Sequence, residues 1–190
     1  MPRLRKNEYP RVPPTQLTEV RWRIPGLGIL RVEPGISGLL KQVDQEWLDL
    51  HEEDDDESAS WQFHELVLKH KWEERFVVME EDKGPMAVWL DHDRLVHQDA
   101  YRLNFFKVRP DMQGKGLGRF TLGLIGIHAR EKNAERIVFQ SLPTSKSFYM
   151  AVGATDTDWQ GHEGSLTNLQ IGAAALKKLE GVVNGYRIQG

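Results

Sequence analysis

The sequence contains no cysteine. Disulfides, thiolate nucleophiles and cysteine-ligated zinc are thereby excluded. No apolar run approaches the ~18–20 residues that a membrane-crossing helix needs. The opening residues, MPRLRKNEYPRVPPTQL, hold no apolar leader core. Cytoplasm is the expectation by elimination. Nor is there a surplus of positive charge: 25 Lys and Arg against 28 Asp and Glu leave a net charge of −3. That balance makes no global case for nucleic acid or an anionic membrane as partner. His64-Glu65, His92 and His97 lack the H-E-x-x-H spacing, so no metal site is expected.

What is present describes an ordinary globular chain, 39% hydrophobic and 28% charged. Its 190 residues fit one domain of roughly 100–200 residues. Charge is unevenly spread. Arg3, Arg5, Lys6 and Arg11 make the start basic, enough only for non-specific contact with nucleic acid, and Glu52 to Glu57 is an unbroken acidic run. Pro2, Pro10, Pro13 and Pro14 mark residues 1–19 as a basic, Pro-rich arm. The expected domain covers residues 20–171, and residues 172–190 form a helical extension beyond the core.

Val20–Ile24 and Leu27–Val32 read as short strand segments, divided by Pro25-Gly26. Ile36, Leu39, Leu40, Val43, Trp47 and Leu50 fall on one helical face, and a second helix is expected over Trp61 to Leu68. The period then changes. Arg75–Met79 and Pro85–Leu90 form a hairpin around Asp82-Lys83-Gly84. Tyr101–Val108 is a strand, Leu117–Arg130 a helix, Arg136–Leu142 a strand and Ser145–Val152 a short helix closed by Gly153. A terminal hairpin is expected over Trp159–Ile171, then a last helix over Ala173–Val183. The strand–helix–strand unit at 101–142 requires its two strands to be parallel. The expected class is therefore α/β or α+β, a mixed sheet covered by helices. Gly123 and Gly126 inside a helix each cost ~1 kcal/mol against alanine, so the helix must pack closely on the sheet or on a second copy of the chain, as in a homodimer.

The segment that carries chemistry is Val108-Arg109-Pro110-Asp111-Met112-Gln113-Gly114-Lys115-Gly116-Leu117-Gly118-Arg119. A strand ends, proline stops it, and three glycines lead into a helix. Glycines let backbone N–H groups converge on a ligand, and the helix start adds its own donors and positive dipole end. Lys115 and Arg119 add full charges. This chemistry suits a pyrophosphate. A Walker loop is excluded because position 109 is not glycine and Lys115 is followed by Gly116. A dinucleotide fingerprint fails at Arg119 or Thr121, depending on the starting glycine. What remains is R/Q-x-x-G-x-G/A, met by Gln113, Gly116 and Gly118.

That pattern resembles the GNAT superfamily of N-acetyltransferases. Ser147-Phe148-Tyr149-x-x-x-Gly153 resembles a second family signature at the following short helix. The resemblance implies acetyl-CoA as co-substrate and a GNAT-like sheet. It implies that Gln113, Gly114, Lys115, Gly116, Leu117, Gly118 and Arg119 hold the pyrophosphate. It further implies that the strand opens near its end, so that Phe106, Lys107 and Val108 offer backbone groups to the pantetheine. Tyr149 is the implied general acid for the leaving thiolate. No base is fixed: Asn104 and Ser141 are candidates to hold a water, with Glu80, Asp91 or His97 acting through one. The acceptor would be an amine, and a cationic one is favoured if the run from His51 to Glu57 lines its pocket. Leu142 stands where the family often carries asparagine, Ala154 where it carries phenylalanine, and Arg102–Asn104 where some members carry a glutamate base. The alternative is thus a catalytically inactive member of the fold, a CoA-binding or interaction module.

Overall fold

The computed structural model describes residues 16–35, 39, 43, 73–97, 99–157 and 166–188. Eight strands form one sheet: β1 (Arg21–Ile24), β2 (Gly28–Pro34), β3 (Glu73–Glu80), β4 (Gly84–His97), β5 (Ala100–Val108), β6 (Arg136–Ser141), β7 (Ala154–Asp156) and β8 (Thr167–Ile171). Their spatial order is β1-β2-β3-β4-β5-β6-β8-β7. Three helices accompany them: α1 (Leu117–Glu131), α2 (Pro143–Ala151) and α3 (Ala173–Asn184). All described pairings are antiparallel except β5 with β6, which α1 connects. The mixed sheet and its parallel crossover are those expected from the strand–helix–strand pattern.

Local chemistry explains the elements. β1 alternates Arg21 and Arg23 outward with Trp22 and Ile24 buried, the period of a half-covered strand. The β3–β4 hairpin closes at Glu80↔Gly84, where Gly84 has φ 74° and Asp82 N–H donates to the Glu80 carboxylate at 3.0 Å. α1 lays Leu117, Phe120, Leu124, Ile125 and His128 into the core. Of the helix expected over residues 36–50, Leu39 and Val43 are described. Both are helical, and Val43 is buried beside Val77, Val88 and Leu90. The helix expected over Trp61 to Leu68 lies outside the described residues.

Two expectations are corrected. The terminal hairpin begins at Ala154, not Trp159. Gly153, with φ 95°, turns the chain straight from α2 into β7, where Ala154 is buried against β8. The last helix does not lie beyond the core. Leu176, Leu179 and Val183 of α3 belong to the same apolar cluster as the sheet. The helix glycine explains why: a Cβ on Gly123 would meet Val183 Cγ2 at 2.5 Å and the Leu179 carbonyl oxygen at 2.6 Å. α1 therefore packs its backbone directly on α3. Beyond α3 the chain pairs with β1, through Arg23 N–H to Tyr186 O and Ile188 N–H to Arg21 O, both 2.9 Å.

Candidate functional site

The site is built where β5 leaves β6. Their parallel pairing runs through Ala100↔Arg136, Tyr101↔Ile137 and Arg102↔Val138, and stops there. Each strand continues against its other neighbour: β5 pairs with β4 to Val108, and β6 pairs with β8 to Ser141. Burial follows the split. Ala100, Tyr101 and Leu103 are buried, whereas Asn104 to Val108 are half-buried. The β4 partners of β5 jump from Leu90↔Phe105 to Asp91↔Leu103, leaving Asn104 as a bulged residue. Bulges bend a strand and re-aim its groups. This bulge sits two residues past the last β5–β6 pair, so both irregularities act at the same place.

The glycine turn crowns that opening. Pro110–Met112 is a single 3-10 turn, with Met112 buried. Gln113 is extended, and Gly114 and Gly116 take φ 74° and 84°. These left-handed conformations favour glycine. A Cβ on either would meet nothing within 4 Å, so the glycines are needed for backbone shape and the space beside the turn is open. Gly116 caps α1 with no side-chain hydrogen bond. The first N–H groups of the helix thus lie at the mouth. Lys115 and Arg119 are exposed there, with Lys115 Nζ 3.8 Å from Met112 Sδ. Gly118 serves packing instead. A Cβ there would meet the Phe148 ring at 3.1 Å, so the glycine seats α1 on α2. Among the residues expected to hold pyrophosphate, Gln113 to Gly116 are exposed, whereas Leu117 is fully buried and serves the core. An open turn of this kind fits a diphosphate.

Tyr149 lies on α2, the helix that follows β6, and is 8% exposed. Its ring packs on Phe139 of β6 and on Phe148, with centroids 4.5 and 5.1 Å apart. Desolvation pushes the phenol well above its usual range, so it stays neutral and protonated. Ser141 is buried, and its hydroxyl donates to Leu142 O at 2.9 Å. Asn104 and Ser141 lie on the two strands that part.

The base candidates scatter. Glu80 is buried at the hairpin, against Gly28 and the Asp82 N–H. Asp91 is buried beneath α1, where it accepts a hydrogen bond from Tyr101, with His128 Nε2 at 3.5 Å and Lys132 Nζ at 4.0 Å. His97 belongs to β4, but its side chain lies outside the described residues, as does the acidic run 52–57. Arg109 was not expected among the residues that shape the site. Its buried guanidinium forks onto Asp111, and the close spacing of Arg, Pro and Asp is the sequence signal for that pair.

No helix among the described residues is long and apolar enough to cross a membrane, and no metal-binding group of His, Asp and Glu is found among them. No protein-family model and no curated protein matches the sequence. Solved structures do match. An acetyltransferase of the GNAT family from Staphylococcus aureus Mu50 superposes with a TM-score of 0.59 at 10% identity, covering 76% of this chain and 99% of that one. Tetrahymena GCN5 gives 0.57 at 13% identity, over 72% and 87%. The spermidine N-acetyltransferase of Vibrio cholerae, in complex with CoA and spermine, gives 0.53 at 14%, over 78% and 98%. The chain has the fold of the GNAT acetyltransferases.

Proposed function

We propose that this protein is an N-acetyltransferase that moves an acetyl group from acetyl-CoA to an amine. The observation that carries the reading is the coincidence of three features: the end of the β5–β6 pairing at Arg102↔Val138, the bulge at Asn104, and the open glycine turn ahead of α1. The turn supplies N–H donors and positive charge for a pyrophosphate. The parted edge at Phe106, Lys107 and Val108 accepts an extended pantetheine in the manner of an added strand.

Acetyl-CoA supplies the thioester and a thiolate leaving group. The neutral amine nitrogen attacks the carbonyl carbon, and the carbonyl oxygen gains the negative charge. Backbone N–H groups at the bulge stabilise that oxygen. The oxygen then returns its electron pair to re-form the carbonyl, and the C–S bond breaks, its electron pair leaving with the sulfur. The nitrogen gives up its proton to a water near Asn104 and Ser141, and Tyr149 protonates the sulfur. A phenol titrates near 10 and a thiol near 8.5 in water, so this transfer is not driven there. Burial raises Tyr149 and so widens that gap, which a thiolate desolvated beside it offsets only by rising as far, so the proton passes to sulfur in concert with C–S cleavage. A cationic acceptor such as a polyamine fits the acidic run at 52–57 and the spermine carried by the Vibrio relative.

One observation favours a second reading, a CoA-binding module without turnover. Glu80 and Asp91 are committed to internal contacts rather than to the opening. The deciding experiment incubates the protein with acetyl-CoA and a panel of polyamines, amino acids and lysine peptides. An acetylated product by mass spectrometry, with free thiol released in equal amount, supports transfer. Binding without product across the panel supports the module.

A further inference from the structure

Arg109 joins two turns with one side chain. Its Nε and Nη2 donate to the two carboxylate oxygens of Asp111, at 2.7 and 3.2 Å. Its Nη1 donates to the Lys83 and Pro85 carbonyls of the β3–β4 turn, at 3.0 and 3.2 Å. Its backbone N–H reaches Met86 O at 2.9 Å. The guanidinium side chain is only 10% exposed. The planar fork of arginine suits such a bidentate pair, and lysine cannot reproduce it.

The far side of the clamp is the glycine turn. Arg109 O accepts from Met112 N–H and Pro110 O from Gln113 N–H, which winds 110–112 into its 3-10 turn. Gln113 and Gly114 follow directly. The entry to the glycine turn is therefore fixed by Arg109, and its exit by α1. Asp111 is the sole acidic residue between Arg109 and Arg119. A bare carboxylate there would repel a diphosphate, and Arg109 offsets its charge.

We infer that Arg109 is a positioning residue for the phosphate-bearing end of acetyl-CoA, clamping the glycine turn to the β3–β4 turn and masking Asp111. The inference rests on the proposed function. Arg109 acts through the turn and does not itself touch the ligand.

The test is calorimetry and kinetics with acetyl-CoA on the full chain, comparing wild type, Arg109→Gln, Arg109→Lys and Arg109→Gln with Asp111→Asn. Arg109→Gln weakens acetyl-CoA about tenfold or more, a loss of the size of one charge-assisted pair. The loss falls on KM for acetyl-CoA rather than on kcat. It shrinks with added salt, because part of it is repulsion from an exposed Asp111. Removing that charge with Asp111→Asn recovers part of the affinity. Arg109→Lys, which keeps the charge without the fork, falls between wild type and Arg109→Gln, and it serves if Arg109→Gln does not fold. A variant that binds acetyl-CoA like wild type but melts lower overturns the inference, leaving Arg109 a fold-stabilising residue. If wild type itself binds no acetyl-CoA, the proposed function fails and the clamp inference falls with it.

Discussion

Gly123 of α1 lies so close to Val183 of α3 that a single added methyl would sit 2.5 Å from Val183 Cγ2. Gly126, one turn on, is less tight, with Leu176 Cδ2 at 3.4 Å from the same added carbon. The two glycines therefore separate packing from helix propensity. Gly123→Ala should lose about 1–3 kcal/mol by overpacking, more than the ~1 kcal/mol that alanine gains in a helix. Each net kcal/mol lowers the melting temperature by about 2–4 °C in a chain of this size. Gly126→Ala should leave stability unchanged or raise it. Thermal melts of both variants check this, and a more stable Gly123→Ala would contradict the close α1–α3 contact.

Glu180 supplies a pH test of the same interface. It is buried between α3 and α1, with Arg130 Nη1 2.9 Å from its carboxylate. Burial raises its pKa, and Arg130 and Lys177 pull partly in the opposite direction. A raised carboxyl favours the protonated folded state. Its contribution is thus fully present below the unfolded pKa and is lost as pH rises through the folded one. Wild type should gain on Glu180→Gln in melting temperature as pH falls from about 7 to about 4.5. A gap that closes or reverses toward acid would mean that the Arg130 pair outweighs desolvation.

Tyr149→Phe keeps the ring that packs on Phe139 and Phe148, and removes only the hydroxyl. If the phenol protonates the departing sulfur, kcat should fall about 10²–10⁴-fold with acetyl-CoA affinity kept. Because burial raises this phenol, wild-type kcat should show no alkaline fall from Tyr149 below about pH 10. Wild-type kcat in the variant, paired with a lower melting temperature, would remove Tyr149 from the reaction.

Much of this was legible in the sequence because the signals are local. The strand, glycine turn, helix and strand from Tyr101 to Ser141 declare themselves by period, proline and glycine, and the structure places them accordingly. Gly153 likewise marks the end of α2. What escaped depends on distant partners. The place of α3 in the core follows from Gly123 meeting Leu179 and Val183, which neither helix reveals alone. The clamp of Arg109 requires the Lys83 and Pro85 carbonyls from another turn. The bulge at Asn104 is a matter of register between β4 and β5. Glu80 and Asp91 are base candidates by residue type alone, yet burial and neighbours give them internal duties.

Gly116→Glu tests the glycine turn as the phosphate site. The position has φ 84° and no neighbour within 4 Å of an added Cβ, so the side chain enters open space without a clash. The left-handed backbone costs roughly 1–2 kcal/mol for a non-glycine residue. The variant should therefore fold with a lower melting temperature, and its carboxylate should abolish acetyl-CoA binding by occupying and repelling the phosphate site. Gly116→Ala, carrying the same strain without the charge, should retain measurable binding. Equal binding by Gly116→Glu and wild type would move the phosphate site elsewhere.

The most direct measurement is calorimetric titration of acetyl-CoA into the wild-type protein. The account predicts saturable binding at one site per chain, competed by free CoA, weakened by salt and accompanied by a higher melting temperature, since a ligand selective for the folded state stabilises it. No heat and no thermal shift at about millimolar acetyl-CoA, where even an affinity of only about −4 kcal/mol registers, would contradict it.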